Sequence, residues 1–185
     1  MNTIIGISGS LRHASFNTAL LRAAVELAPA GLRIETATLA GIPLYDADLE
    51  SEGLPPAVVA LKARIAESQG LLLVTPEYNQ SLPGVFKNAI DWCSRPGADI
   101  ARVFGGKPVG MIGATPGPGG TRLAQTAWMP VLRSLNLQPW YGKSLFVAGA
   151  GQVFDAEGKL VDATIQRLLT DYLAGFSQFV RTVRG

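Results

Sequence analysis

Apolar residues fall along this chain in two alternating rhythms. Leu71 to Val74 is a continuous apolar run bounded by Gly70 and Pro76, which predicts a strand buried on both faces. Asn2 to Ser8 (NTIIGIS) predicts a first strand, and Lys107 to Ala114 and Pro139 to Ala148 predict two more. Arg33 to Leu39 (RIETATL) alternates polar and apolar, as a more exposed strand does. Between these runs the apolar positions recur at helical spacing. Helices are predicted over Phe16–Ala28, Val58–Ser68, the stretch from Val85 to Trp92, Thr121–Leu135 and Thr164–Val183. Ser15 or Asn17 can cap the first, and Ser81 and Pro83 mark the start of the third. Pro130 is expected to kink or interrupt the fourth. Gly41 to Pro56 reads as a long connection.

Strand and helix thus alternate five times, and a parallel sheet covered on both faces is the economical arrangement. Five strands fit the flavodoxin-like α/β order 2-1-3-4-5, whose switch point lies between strands 1 and 3. Neither a repeat nor a linker divides the 185 residues, so one domain is expected.

Composition narrows the function classes. Hydrophobic residues make up 48% and charged residues 16%, which excludes a disordered chain. A net charge of +2 without a Lys/Arg run speaks against a nucleic-acid partner. No apolar run reaches membrane-spanning length, and the N-terminus passes into a strand without a basic leader, so a cytoplasmic protein is expected. The single cysteine, Cys93, excludes an internal disulfide and a cysteine-based zinc site, and its place late in an apolar helix predicts core packing. Asp46, Asp48 and Glu50 have no His or Cys beside them and read as solvated acids or caps, so no metal is expected. His13, the one histidine, reads as an exposed loop residue.

In the order 2-1-3-4-5 the loops after strands 1, 3 and 4 lie side by side, and these are the three chemically unusual loops. The first places Ser10, Arg12, Ser15, Asn17 and Thr18 at a helix N-terminus, where free amides, the helix dipole, hydroxyls and a guanidinium suit a phosphate dianion. It is neither of the common nucleotide loops. Gly105-Gly106-Lys107 is followed by Pro108, not by Ser or Thr, and Gly6-Ile7-Ser8-Gly9 lacks GxGxxG spacing. The second, Pro76 to Gln80, offers backbone donors and acceptors, the aromatic Tyr78 and the amide Asn79. These suit a flat heterocycle such as a flavin. The third, Pro116 to Gly120, lacks bulk, so a ring or ribityl chain can pass its backbone.

Gly9-Ser10-Leu11-Arg12 with Ser15 and Asn17, Thr75-Pro76-Glu77-Tyr78-Asn79 with Leu82-Pro83-Gly84, and Lys87 to Trp92 resemble the NAD(P)H-dependent FMN reductase family, and within it the chromate- and quinone-reducing flavoproteins. Pro43 to Asp48 carries the same resemblance. It implies a flavodoxin-like fold, non-covalently bound FMN, NADPH or NADH as co-substrate, and a homodimer or homotetramer. By position, Ser10, Leu11, Arg12, Ser15, Phe16, Asn17 and Thr18 would hold the phosphate, and Pro76, Glu77, Tyr78, Asn79 and Gln80 the ring. Thr115 and Gly117 would flank the ring or ribityl. Relatives often carry serines where this chain has Ala114-Thr115-Pro116, and an aromatic or histidine in place of Gln80.

The implied chemistry is ping-pong hydride transfer from NAD(P)H through FMN to quinones, chromate, azo compounds or free flavin. It needs no protein acid, base or nucleophile, so no catalytic side chain is expected. Trp92, Trp128 and Met129 exceed what one core needs, which also favours a dimer. A flavodoxin-type electron carrier would share fold and FMN, but such carriers resemble acidic docking surfaces and this chain has a pI near 8.8. A receiver-type signalling domain needs acids after strand 1 and an aspartate ending strand 3, where Ser8 and Thr75 stand.

Overall fold

The computed structural model of the protein describes residues 1–184. Chain order is β1 (Asn2–Ser8), α1 (Phe16–Glu26), β2 (Leu32–Ala37), α2 (Ala47–Glu52), α3 (Pro56–Glu67), β3 (Leu71–Val74) and α4 (Gly84–Cys93). A 3-10 turn (Gly97–Asp99) then leads to α5 (Ile100–Val103), β4 (Pro108–Ala114), α6 (Arg122–Ser134), β5 (Gln138–Pro139), β6 (Leu145–Val147), α7 (Ala150–Val153) and α8 (Ala163–Arg184). The strands run parallel in the order β2-β1-β3-β4-β5, with β6 also paired to β4. This is the flavodoxin-like arrangement that the alternation predicts.

The period-2 geometry of the strands sorts their side chains into two cores. Leu72, Val74 and Ile112 face α1, α7 and α8, while Leu71, Leu73, Val109 and Met111 face α3, α4, α5 and α6. All four residues of β3 are buried, the mark of a central parallel strand. The edge strand β2 alternates instead, with Leu32 and Ile34 buried and Arg33 exposed between them.

The predicted fifth strand is two short pieces. Pro139 pairs with Val109, and Leu145 to Val147 pair with Ile112 to Ala114, but the chain leaves the edge at 141–144. Trp140 explains the detour. Its indole packs edge-on to Tyr172 at 4.8 Å, and an added Cβ at Gly175 of α8 would fall 2.6 Å from the same ring. Burying that ring takes precedence over continuing the ladder.

Three local expectations are corrected. Helix α6 runs uninterrupted through Pro130, whose ring and the unbonded carbonyl four residues back both belong to exposed positions. Ser81 caps nothing: it pairs with Tyr78 in a hairpin, and α4 begins after Pro83 without a side-chain cap. The long connection contains α2, capped by Asp46, which accepts from the Asp48 amide at 2.9 Å. The surplus of tryptophan is also absorbed. Trp92 and Trp128 are fully buried, Trp92 donating to the Pro43 carbonyl at 2.9 Å and Trp128 packing edge-on to Phe86 at 5.0 Å. Neither is left over for an interface.

Glycines at strand ends let the layers close. A Cβ at Gly113 in β4 would sit 2.2 Å from the Thr75 carbonyl and 2.3 Å from the Thr121 hydroxyl. Gly113→Ala is therefore expected to destabilise the protein by about 1–3 kcal/mol or more, read as a lower urea midpoint with unchanged slope.

Candidate functional site

The three unusual loops meet where β1, β3 and β4 end. Backbone bonds stitch them in sequence: Gly9 donates to Val74 at 2.8 Å, Thr75 to Ile112 at 2.9 Å, and Thr115 to Val147 at 2.9 Å. Gly9 is confined, because a Cβ there would lie 2.3 Å from the Phe86 ring and 2.9 Å from Pro76. Asn17 adds the strongest tie. Its side chain is 4% exposed, donates to the Ala114 carbonyl at 2.8 Å and accepts from the Ala114 amide at 2.9 Å. The carboxamide thus completes the edge of β4 as a strand neighbour would, with one donor and one acceptor spent on Ala114.

In the first loop Ser15 is the true cap of α1, its hydroxyl accepting from the amides of Asn17 and Thr18 at 3.2 and 3.3 Å. Thr18 shares a 3.0 Å hydrogen bond with Ser8 beneath the loop. Ser10 accepts from the Arg12 amide at 3.2 Å, and the amides of Ser10 and Leu11 have no acceptor among the described residues. Arg12 is exposed with its guanidinium 5.6 Å over the Phe16 ring, which in turn stacks on Phe154 at 5.9 Å. Open space flanks the loop on both sides. A cavity of about 440 Å³ is lined by Arg12, His13, Ser15, Phe16 and Arg22 opposite Asp155 and Glu157. Another of about 510 Å³ is lined by Ser8, Ser10, Thr18, Thr36, Thr38 and the arginines 22 and 64. His13 is exposed, as its position predicts.

Neither cavity is lined by residues 76–80, which form a surface ledge. Pro76 is buried, Glu77 half-buried, and Tyr78, Asn79 and Gln80 exposed. Tyr78 and Ser81 exchange backbone hydrogen bonds of 3.0 Å. Between them Asn79 and Gln80 both have positive φ, 49° and 63°, the pattern of a type I′ turn. Asn tolerates this region, whereas Gln80 carries a backbone cost of roughly 1–2 kcal/mol. The amides of Glu77, Asn79 and Gln80 find no acceptor among the described residues.

The side chain of Glu77 has a role that the sequence gives no sign of. Its Oε2 accepts from the amides of Leu123 and Ala124 at 2.9 and 3.0 Å, capping α6 from a distant loop. Thr121, at the cap position itself, makes no side-chain cap bond. A second strut lies below: Trp128 Nε1 donates to Thr75 Oγ1 at 3.2 Å, and that hydroxyl donates to the Pro76 carbonyl at 2.8 Å.

The third loop is open at its tip. A Cβ at Gly117 would meet only Thr115 Oγ1 at 3.8 Å, and one at Gly119 would meet nothing within 4 Å. Thr115 is half-buried and lies 3.4 Å from the Gly117 amide, while the Gly117 carbonyl accepts from Gly149 at 3.2 Å.

Other reactive groups lie apart from this edge. Cys93 is fully buried, and desolvation pushes its thiol up to about 12. Glu50 is held below the usual carboxylate range first by Arg95, 2.9 Å away, and then by the Tyr45 hydroxyl. No group of three or more metal-capable side chains occurs among the described residues, and none of their helices is long and apolar enough to cross a membrane.

The family model described as NADPH-dependent FMN reductase matches residues 2–152. An NAD(P)H-dependent FMN reductase of Pseudomonas aeruginosa is 42% identical over 182 residues, which cover 98% of this chain and 97% of that protein. A 2-hydroxy-1,4-benzoquinone reductase of a Burkholderia species is 37% identical over 178 residues, 96% of each chain. Among solved structures, the flavoenzyme NAD(P)H:(acceptor) oxidoreductase of Paracoccus denitrificans superposes with a TM-score of 0.88 at 31% identity, covering 98% of each chain.

Two outcomes are expected from this geometry. Asn17→Ala leaves the buried Ala114 amide and carbonyl without partners and should cost about 2–4 kcal/mol in urea unfolding. Cys93 should be inert to Ellman's reagent in the folded protein at pH 8 and react fully in guanidinium, because the thiolate is the nucleophile and burial suppresses it.

Proposed function

The chain belongs to the NADPH-dependent FMN reductase family, and from that membership we propose a flavoenzyme that binds FMN across the three loops and passes electrons from NAD(P)H to quinones. The observation that carries this reading is the set of unsatisfied donors along one sheet edge: amides at Ser10, Leu11 and Phe16, and amides at Glu77, Asn79 and Gln80.

The donor set fits FMN in both halves. Ser10, Arg12, Ser15 and the Phe16 amide at the start of α1 supply hydroxyl, cationic and N–H donors suited to a phosphate dianion. Arg12 needs only to swing off the Phe16 ring to reach it, while Thr18 and the Asn17 carboxamide hold the cradle from beneath. The ledge at Glu77 to Gln80 presents unpaired backbone donors of the kind that the polar edge of an isoalloxazine accepts from, with buried Pro76 stiffening the approach. Thr115 and Gly117 border the open loop through which the ribityl chain or ring would pass.

Bound FMN supplies the two-electron relay between nicotinamide and acceptor, so the protein's own task is to bind, orient and exclude water. Tyr78, 48% exposed beside the ledge, gives a flat wall for the nicotinamide and then for the acceptor in the same space, a ping-pong order. The relatives' names favour quinones; chromate, azo compounds and free flavin are further acceptors for the same assay. We also propose a cytoplasmic homodimer or homotetramer. Its support now rests on apolar side chains exposed around the site, Leu11, Tyr78 and Leu123, in place of the buried tryptophans.

The test is direct. Purified protein should be yellow with flavin absorption bands and should oxidise NADPH when a benzoquinone is added. A colourless protein that binds no added FMN would defeat the reading, and oxidation only in the presence of a protein partner would point to an electron carrier. Arg12→Ala should weaken FMN binding roughly tenfold or more in apo-protein titrations, the worth of a charge-assisted hydrogen bond, with the fold intact. Tyr78→Ala should keep FMN and lose kcat/KM, because the shared flat wall loses contact area.

A further inference from the structure

We propose that Glu77 is a positioning residue: its carboxylate never touches the flavin but locks the 76–80 ledge onto α6, so that the ledge has its ring-binding shape before FMN arrives. The inference rests on the FMN reading above and adds a role for a side chain within that site.

Helix α6 lacks a cap of its own. Thr121 occupies the cap position, yet its side chain is fully buried and hydrogen-bonded to Gln125 Nε2 at 3.1 Å. No acid lies in the first turn, and Arg122 there is turned over the Phe146 ring at 5.5 Å. The orphan amides of Leu123 and Ala124 and the positive end of the helix dipole are answered by Glu77, 46 and 47 positions away. One carboxylate oxygen takes both amides, so the ledge is held by two charge-assisted bonds.

What is held matters to the ring. Two and three residues after Glu77 the backbone adopts the left-handed pair Asn79 and Gln80, closed locally by the Tyr78–Ser81 bonds and anchored to α6 through Glu77. The donors offered to the ring, the amides of Glu77, Asn79 and Gln80, belong to this segment. A tether that fixes them in advance removes an ordering cost from binding. It also turns the negative charge toward the helix and away from the electron-rich edge of the ring.

The experiment compares Glu77→Gln, Glu77→Ala and the double variant Glu77→Ala/Leu123→Glu. Each is followed by FMN titration of apo-protein, hydrogen exchange of residues 76–81 without FMN, and thermal unfolding. Gln keeps an acceptor oxygen and should stay within about threefold of wild-type FMN affinity. Ala should bind FMN about tenfold more weakly, the size of one lost cap, and speed exchange across 76–81. Leu123→Glu places an acid on the exposed first turn of α6 without joining it to the ledge. In the double variant thermal stability should recover while FMN affinity and fast exchange do not.

Three results would overturn the proposal. These are wild-type FMN affinity in Glu77→Ala, affinity restored together with stability in the double variant, or a Gln variant as weak as Ala whose exchange across 76–81 stays as slow as in wild type. The first two would leave Glu77 as a helix cap only, and the third would put the charge on the flavin itself. Wild-type protein that binds no FMN would remove the underlying reading as well, and the wild-type titration tells that failure from failure of the tether alone.

Discussion

One buried carboxamide ties the working edge of this molecule together. Asn17 reaches from the first turn of α1 to both backbone groups of Ala114, the last residue of β4. Strands β1 and β4 are not neighbours; β3 lies between them. The bond therefore spans the sheet's switch point and fixes the separation of the first and third loops. Lost in a buried setting, it would leave two unsatisfied backbone groups, so the tie is stringent as well as favourable. The distance between the loop after β1 and the open loop after β4 then follows from covalent geometry and two hydrogen bonds.

The ledge depends on a second set of ties. Its floor is the chain Trp128–Thr75–Pro76, and its outer anchor is Glu77 on α6. Both lead to the same helix, so α6 acts as a backstop for the 76–80 ledge while α1 and β4 fix the loop after β1. The glycines at 9 and 113 belong to this scheme as gaps: each is a place where a methyl group would overlap Phe86 or the Thr75 carbonyl. Close approach is achieved by omission at these points and by polar ties everywhere else.

Much of this was legible in the sequence, for definable reasons. The central strand at Leu71–Val74 is all apolar because both of its faces are covered, and the edge strand at Leu32–Ala37 alternates because one is not. The strand–helix alternation then implies the order of the sheet and the clustering of the three loops. Roles that depend on distant partners were not legible. Asn17 looks like a cap or a ligand, and nothing local announces the pair of bonds it makes to Ala114, 97 residues away. Glu77 gives no local sign of the two α6 amides that its carboxylate caps. Trp140 breaks the fifth strand through a pocket at Gly175, which no local periodicity reports. Trp92 and Trp128 look surplus until Pro43 and Thr75 are found at their indole nitrogens.

The break in the fifth strand also bears on how the folded chain meets other copies of itself. Parallel sheets end in rows of unpaired amides and carbonyls that can recruit a foreign strand. On this side the outermost ladder is two residues at Gln138–Pro139, one of them without an amide, and three at Leu145–Val147. The exposed stretch 141–144 swings out between them. No continuous template remains along that margin. The indole of Trp140, by drawing the backbone inward to α8, thereby serves as protection against edge-to-edge aggregation, a colloidal benefit obtained from a packing decision in the core.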